Sequence, residues 1–204
     1  MNTVFKYNPY ILEHHLTEIS DAENELLIEQ ALDADNERRG DLNDNEYNVC
    51  MDITEETTKL NNLFVNTCHS LFDGLVMEKP KYREFSDGCA YVSNKSRYDS
   101  LWHQHLLTST INGVYYARVP DDMGSLSIID PEDAMEKKII PLEKHLYLLP
   151  GWMLHKPNPP TSEEFRVSIN IEYLSLKRPI LKPDNWSKDE YDVFNRKTGS
   201  SLIW

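Results

Sequence analysis

Only three cysteines occur in the 204 residues, Cys50, Cys68 and Cys89. They are odd in number, widely scattered and form no C-x-x-C pair. That excludes a disulfide framework and reads as reduced thiols used for packing. No apolar run approaches the ~20 residues of a membrane-spanning helix. Met1-Asn2-Thr3-Val4-Phe5-Lys6 carries no apolar signal core, so a cytoplasmic protein is expected. Positive charge is also short. Against 34 Asp and Glu stand 21 Lys and Arg, a net charge of -13. This argues against nucleic acid and anionic membranes as partners, although it leaves room for a small basic pocket. There is neither an internal repeat nor a low-complexity tract.

What remains is ordinary globular material, with 40% hydrophobic and 27% charged residues. The length predicts a single domain over 1–204. Thr3 to Leu12 reads as an opening strand, with Pro9 favouring an edge. Ser20-Asp21-Ala22 begins a helix through about Arg38, ended by Gly40. Residues 40–50 read as a polar connection. A second helix follows, with Asp52 as its cap and Glu55 completing a capping box. Its stripe of Leu60, Leu63, Phe64, Cys68, Leu71, Phe72 and Leu75 should pack on a sheet. His14, His15 and His69 read as surface or satisfied structural histidines.

After Pro80 the pattern becomes short strands between turns. Strands are expected over Gly88–Ser93, Leu101–Leu107, Ile111–Val119, Ser125–Ile129, His145–Leu149, Trp152–His155 and Phe165–Leu174. Residues 131–141 read as a charged loop, and Ser187 with Glu190 marks a short C-terminal helix. Helices first and strands afterwards predict an α+β, mainly β chain with an antiparallel sandwich or barrel.

The chemistry gathers around Trp102-His103-Gln104-His105. On a strand, His103 and His105 project from one face and can reach one metal ion. His155, after Leu149-Pro150-Gly151-Trp152-Met153-Leu154, offers a third imidazole. Neutral imidazole suits iron, zinc, copper and nickel. In the last strand Phe165, Val167, Ile169, Ile171 and Tyr173 share one face, and Arg166, Ser168, Asn170 and Glu172 the other. Arg166 can grip a carboxylate through two parallel hydrogen bonds, with the Ser168 hydroxyl beside it. A metal with open positions and a deeper arginine suit a dicarboxylate.

These residues, with Asn112-Gly113-Val114-Tyr115-Tyr116, Gly124-Ser125-Leu126, Asp130-Pro131, Pro159-Pro160-Thr161-Ser162-Glu163-Glu164 and Arg166-Val167-Ser168-Ile169, resemble the 2-oxoglutarate/Fe(II)-dependent oxygenases. The likeness is to small, prolyl-hydroxylase-like members from phages and marine microbes, and it covers about residues 88–174. It implies a double-stranded β-helix, or jelly roll, over about 88–174, helices of about 20–78 packed on one sheet, and a C-terminal extension over 175–204. It implies Fe(II) on His103, His105 and His155, and 2-oxoglutarate bound by Arg166, Ser168, Tyr116 and, more loosely, Tyr91 or Ser93. His105 departs from the family's usual H-x-D or H-x-E.

The implied activity is hydroxylation of a peptidyl residue or small metabolite, with release of succinate and CO2. Two other readings compete: a metal-binding jelly roll without turnover, and a three-histidine cupin-like dioxygenase that does not use 2-oxoglutarate. Specificity is expected in residues 80–87, 94–100 and 131–144 and in the C-terminal segment. There Trp186, Tyr191, Phe194 and Trp204 would cover the barrel or meet a partner, which leaves homo-oligomerisation open.

Overall fold

The computed structural model describes residues 10–39, 48–74, 84–106 and 108–175. In chain order it contains β1 (Leu12–His15), α1 (Asp21–Arg39), β2 (Asn48–Cys50), α2 (Glu55–Gly74), β3 (Glu84–Ser93) and β4 (Ile111–Arg118). There follow β5 (Leu126–Ile129), β6 (Glu136–Ile139), β7 (His145–Pro150), β8 (His155–Pro157) and β9 (Arg166–Ser175). Six strands form one antiparallel sheet in the order β1-β7-β4-β9-β3-β2, and three form a second in the order β6-β5-β8. This is the expected α+β, mainly β architecture, two facing sheets with helices backing the larger one. Among the described residues no helix is long and apolar enough to cross a membrane.

Two apolar layers follow from strand alternation. On the helix side of the large sheet, Ala90, Tyr115, Leu146, Leu148, Val167, Ile169, Ile171 and Tyr173 pack with Leu27 and Ala31 of α1 and Leu60, Phe64 and Cys68 of α2. The rings of Phe64 and Tyr173 meet edge to face at 6.5 Å. Gly113 is required there, because a Cβ would lie 2.4 Å from Phe64 Cε2. Between the sheets, Tyr116, Tyr147 and Leu149 face Leu126, Ile128 and Ile139.

The helix starts are local. Ser20 caps α1, since its Oγ accepts the Glu23 N–H at 3.3 Å and the Glu23 carboxylate accepts the Ser20 N–H at 2.8 Å. The α2 cap is Thr54, with Thr57 completing the box through bonds of 3.3 and 2.8 Å. Asp52 and Glu55 therefore do not cap it: the helix begins two residues later than that box requires. Asn24 ties α1 to the sheet, donating to the Ala117 carbonyl at 2.9 Å and accepting from the Tyr115 hydroxyl at 2.8 Å.

Several expected strands differ. The opening strand is β1, which carries His14 and His15; residues 1–9 lie outside the described residues. The expected strand Leu101–Leu107 is not formed over the described residues 101–106. Its one ladder contact is the bridge between His103 and His155, and the His105 carbonyl is taken by the turn N–H groups of Thr108 and Ser109, which ends pairing. Trp152–His155 is mostly turn, closed by Met153 N–H to the Pro150 carbonyl at 2.9 Å, and strand resumes at His155. The charged 131–141 segment contains β6, whose residues pair with β5 through backbone groups that need no apolar pattern. The polar connection over 40–50 contains β2, which is too short to show a period. His14 is not a surface residue: it is 4% exposed and its Nδ1 has no hydrogen-bond partner. Gly40, the Phe72 side chain, Leu75, Leu107 and the C-terminal helix at Ser187 lie outside what is described.

Candidate metal centre

The site lies between the two sheets. Antiparallel pairing sets Ser93 opposite Arg166 and Tyr91 opposite Ser168 on one side of β9, and Tyr116 opposite Ser168 and Val114 opposite Asn170 on the other. Directly paired residues share a sheet face, so Arg166, Ser168, Asn170 and Glu172 point inward with Tyr91 and Tyr116. Across from them, His155 opens β8. The bridge of 2.9 and 3.0 Å hydrogen bonds draws His103 alongside it, and His105 N–H bonds the Gly151 carbonyl at 2.7 Å. Gly151 is obligatory at that crossing, since a Cβ would sit 1.9 Å from the Ser109 oxygen.

His103, His105 and His155 each offer a ring nitrogen, and the three nitrogens lie within 4.8 Å of one another. On every ring Nδ1 already has an acceptor. The Leu101 carbonyl takes His103 at 2.9 Å, the Met153 carbonyl takes His155 at 2.9 Å, and Glu172 Oε1 takes His105 at 2.6 Å. A neutral imidazole that donates from Nδ1 keeps its lone pair on Nε2. Burial, helped by His103, pushes the buried His155 down to about 3, so it stays neutral and able to ligate. Burial pushes the Glu172 carboxyl up, but the hydrogen bonds from His105 and Thr108 outweigh it and leave Glu172 below its ordinary value.

Arg166 is 3% exposed, so it is not a solvated strand residue. Its Nε donates to Ser93 Oγ at 3.2 Å and its Nη1 to the Met123 and Asn158 carbonyls at 2.9 and 3.4 Å. Its partners are all neutral, so its charge is held without a counter-ion among the described residues. Burial lowers its affinity for the proton, opposed by Tyr116, yet a guanidinium remains cationic. Burial raises the Tyr116 and Tyr91 phenols, which therefore stay protonated and able to donate.

One cavity of about 620 Å³ of empty space, part of it open to solvent, joins these groups. Tyr91, Ser93, Tyr116, Arg166 and Ser168 line it together with His103, His105 and His155. All residues singled out from the sequence for metal or dicarboxylate thus meet in one place. Sequence reasoning assigned no role to Glu172, Asp99, Tyr98 or Asn170. Period two from Arg166 does put Asn170 and Glu172 on the right face. Nothing local marks Glu172 as the partner of His105.

No protein-family model matches the sequence, and no curated protein matches it. Solved structures do. A Pseudomonas putida prolyl-4-hydroxylase superposes with TM-score 0.60 at 14% identity, covering 84% of this chain and 94% of that one. The viral collagen prolyl hydroxylase of Paramecium Bursaria Chlorella virus-1, solved with 2OG, gives TM-score 0.56 at 13% identity, covering 82% and 96%. A Trichoplax adhaerens prolyl hydroxylase, in complex with a hypoxia inducible factor oxygen degradation domain peptide, gives 0.56 at 14%, covering 81% and 83%. The likeness is one of fold: this chain folds as the prolyl hydroxylases do.

Proposed function

We propose that the chain is a 2-oxoglutarate- and oxygen-dependent Fe(II) hydroxylase. The observation that carries this is a single cavity containing both a convergent trio of imidazoles and a buried guanidinium with no anionic partner among the described residues. Metal alone accounts for the first and not for the second. The shared fold supports the same reading.

Iron fits the donor set, since three neutral imidazoles presented through Nε2 suit a borderline divalent ion. His103, His105 and His155 would hold it. Bound Fe(II) supplies the redox chemistry by which O2 converts 2-oxoglutarate to succinate and CO2 and a substrate C–H to C–OH. The chain's own residues position and exclude. Arg166 binds the distal carboxylate of 2-oxoglutarate, and the Ser168 hydroxyl and the protonated Tyr116 phenol donate to the same group. Tyr91 walls the pocket beside Ser168. Val114 and Leu126, also lining the cavity, keep water from the co-substrate's methylenes.

The prime substrate we propose is a peptidyl residue, proline first, with a small metabolite second. Two of the similar structures are named for collagen or captured with a peptide, and the net charge of -13 disfavours nucleic acid.

The test is succinate release from 2-oxoglutarate with Fe(II), ascorbate and oxygen, beside Arg166→Ala. Succinate from the wild type alone supports the proposal. A metal-loaded protein that neither binds 2-oxoglutarate nor releases succinate overturns it in favour of a metal-binding jelly roll. Oxygen consumption without 2-oxoglutarate points to a cupin-like dioxygenase.

A further inference from the structure

The three imidazoles are not backed alike. Behind His103 and His155 the acceptors are neutral backbone carbonyls. Behind His105 stands a carboxylate, Glu172, at 2.6 Å. His105 is also the position where the H-x-H pattern departs from H-x-D or H-x-E. We infer that Glu172 is a positioning residue for the metal centre, and that the His105–Glu172 pair stands in for a directly bound carboxylate. The imidazole reaches the metal, and Glu172 supplies the negative charge one residue further out. This rests on the metal-centre reading proposed above.

The charge count carries it. Three neutral imidazoles leave a divalent ion with its full charge, whereas Glu172 brings the centre to the same net charge as two histidines and a bound carboxylate. An acceptor carboxylate on the far nitrogen also raises the donor strength of the ligating nitrogen, and charge-assisted bonds of this length are the strong kind. Position matters as much. Glu172 lies on β9, which is paired on both sides, opposite Asp87 on β3 and Asn112 on β4. His105 lies on an irregular segment. The Nδ1–Oε1 bond therefore ties that segment to a strand held along both edges.

Anaerobic Co(II) titration, read by affinity and by the visible ligand-field bands, tests this in four proteins: wild type, Glu172→Gln, His105→Asp and the double variant. Gln keeps the shape and an acceptor oxygen and removes the charge. In the native background Glu172→Gln is expected to weaken Co(II) binding roughly 10- to 100-fold and to shift the bands. In the His105→Asp background, where the charge is bound directly, the same change should cost less than about twofold. Unchanged affinity and bands in Glu172→Gln overturn the inference. So does an equal loss in both backgrounds, which makes Glu172 a generic support. A wild type that takes up no Co(II) overturns this inference and the proposed function together. Equal Co(II) binding by wild type and Glu172→Gln, with 2-oxoglutarate binding lost only in Arg166→Ala, overturns the inference and leaves the function standing.

Discussion

The two faces of β9 have the same backbone and different occupations. Outward, Val167, Ile169, Ile171 and Tyr173 are buried against the helices. Inward, Arg166, Ser168 and Asn170 line the cavity and Glu172 backs His105. Exposure does not distinguish the faces, since Arg166 and Ile171 are each 3% exposed. Chemistry does. Burying the outward side chains stabilises the fold by removing apolar area from water. Burying an arginine among neutral acceptors costs stability. The helix-backed layer offsets that cost, which is why a strand so polar on one face still forms the centre of a sheet.

If the faces are separable, damage to one should leave the other's readout intact. Phe64→Ala, on the helix side, should cost about 3–5 kcal/mol in denaturant unfolding. Co(II) affinity per folded molecule should stay at the wild-type value, and a parallel loss of affinity would break the separation. Arg166→Ala is the inverse experiment. 2-Oxoglutarate binding by calorimetry should weaken by about 2–5 kcal/mol, while Co(II) uptake is unchanged.

Gly113→Ala should destabilise by about 1–3 kcal/mol through its clash with Phe64. Smaller Leu at position 64 should recover part of the loss, a coupling visible in a double-mutant cycle. No recovery would place the clash elsewhere.

The smallest effect concerns the polar intruder in the apolar layer. His14 pairs with Leu146, on the helix side of the sheet, and its Nδ1 is unpartnered. His14→Leu should stabilise by about 1 kcal/mol. Burial holds the His14 imidazole below its ordinary 6.5, with Glu18 opposing. The folded state therefore stays neutral where the unfolded chain takes up a proton. Stability associated with His14 is complete above pH 6.5 and is lost as the pH falls from there toward the folded-state value. Unfolding free energies measured downward from pH 7 should fall more steeply for wild type than for His14→Leu. Equal slopes would mean that the neutral form has no advantage.

Much of this was legible beforehand where the signal is local. The start of α1 at Ser20, the α2 stripe and the alternation of β9 depend on residues a few positions apart. The misread strands share one cause. Leu101–Leu107 has a strand-like composition, but its backbone partners are withdrawn by the turn at Thr108 and Ser109. Glu136–Ile139 is charged and yet becomes β6, because β5 offers it a ladder. Thr54 displaces Asp52 as cap because the Thr54 and Thr57 hydroxyls each accept the other's backbone N–H.

By itself the sequence singled out residues that line the cavity and the face of β9 that Arg166 and Ser168 occupy, because side-chain type and a period of two are properties of a short stretch. Tertiary structure decided that Glu172 backs His105 and that Arg166 is buried without a counter-ion among the described residues. It also decided that His14 is enclosed in the apolar layer. Those outcomes depend on which distant segments share a sheet and which face the helices cover, and no short stretch of chain encodes such a meeting.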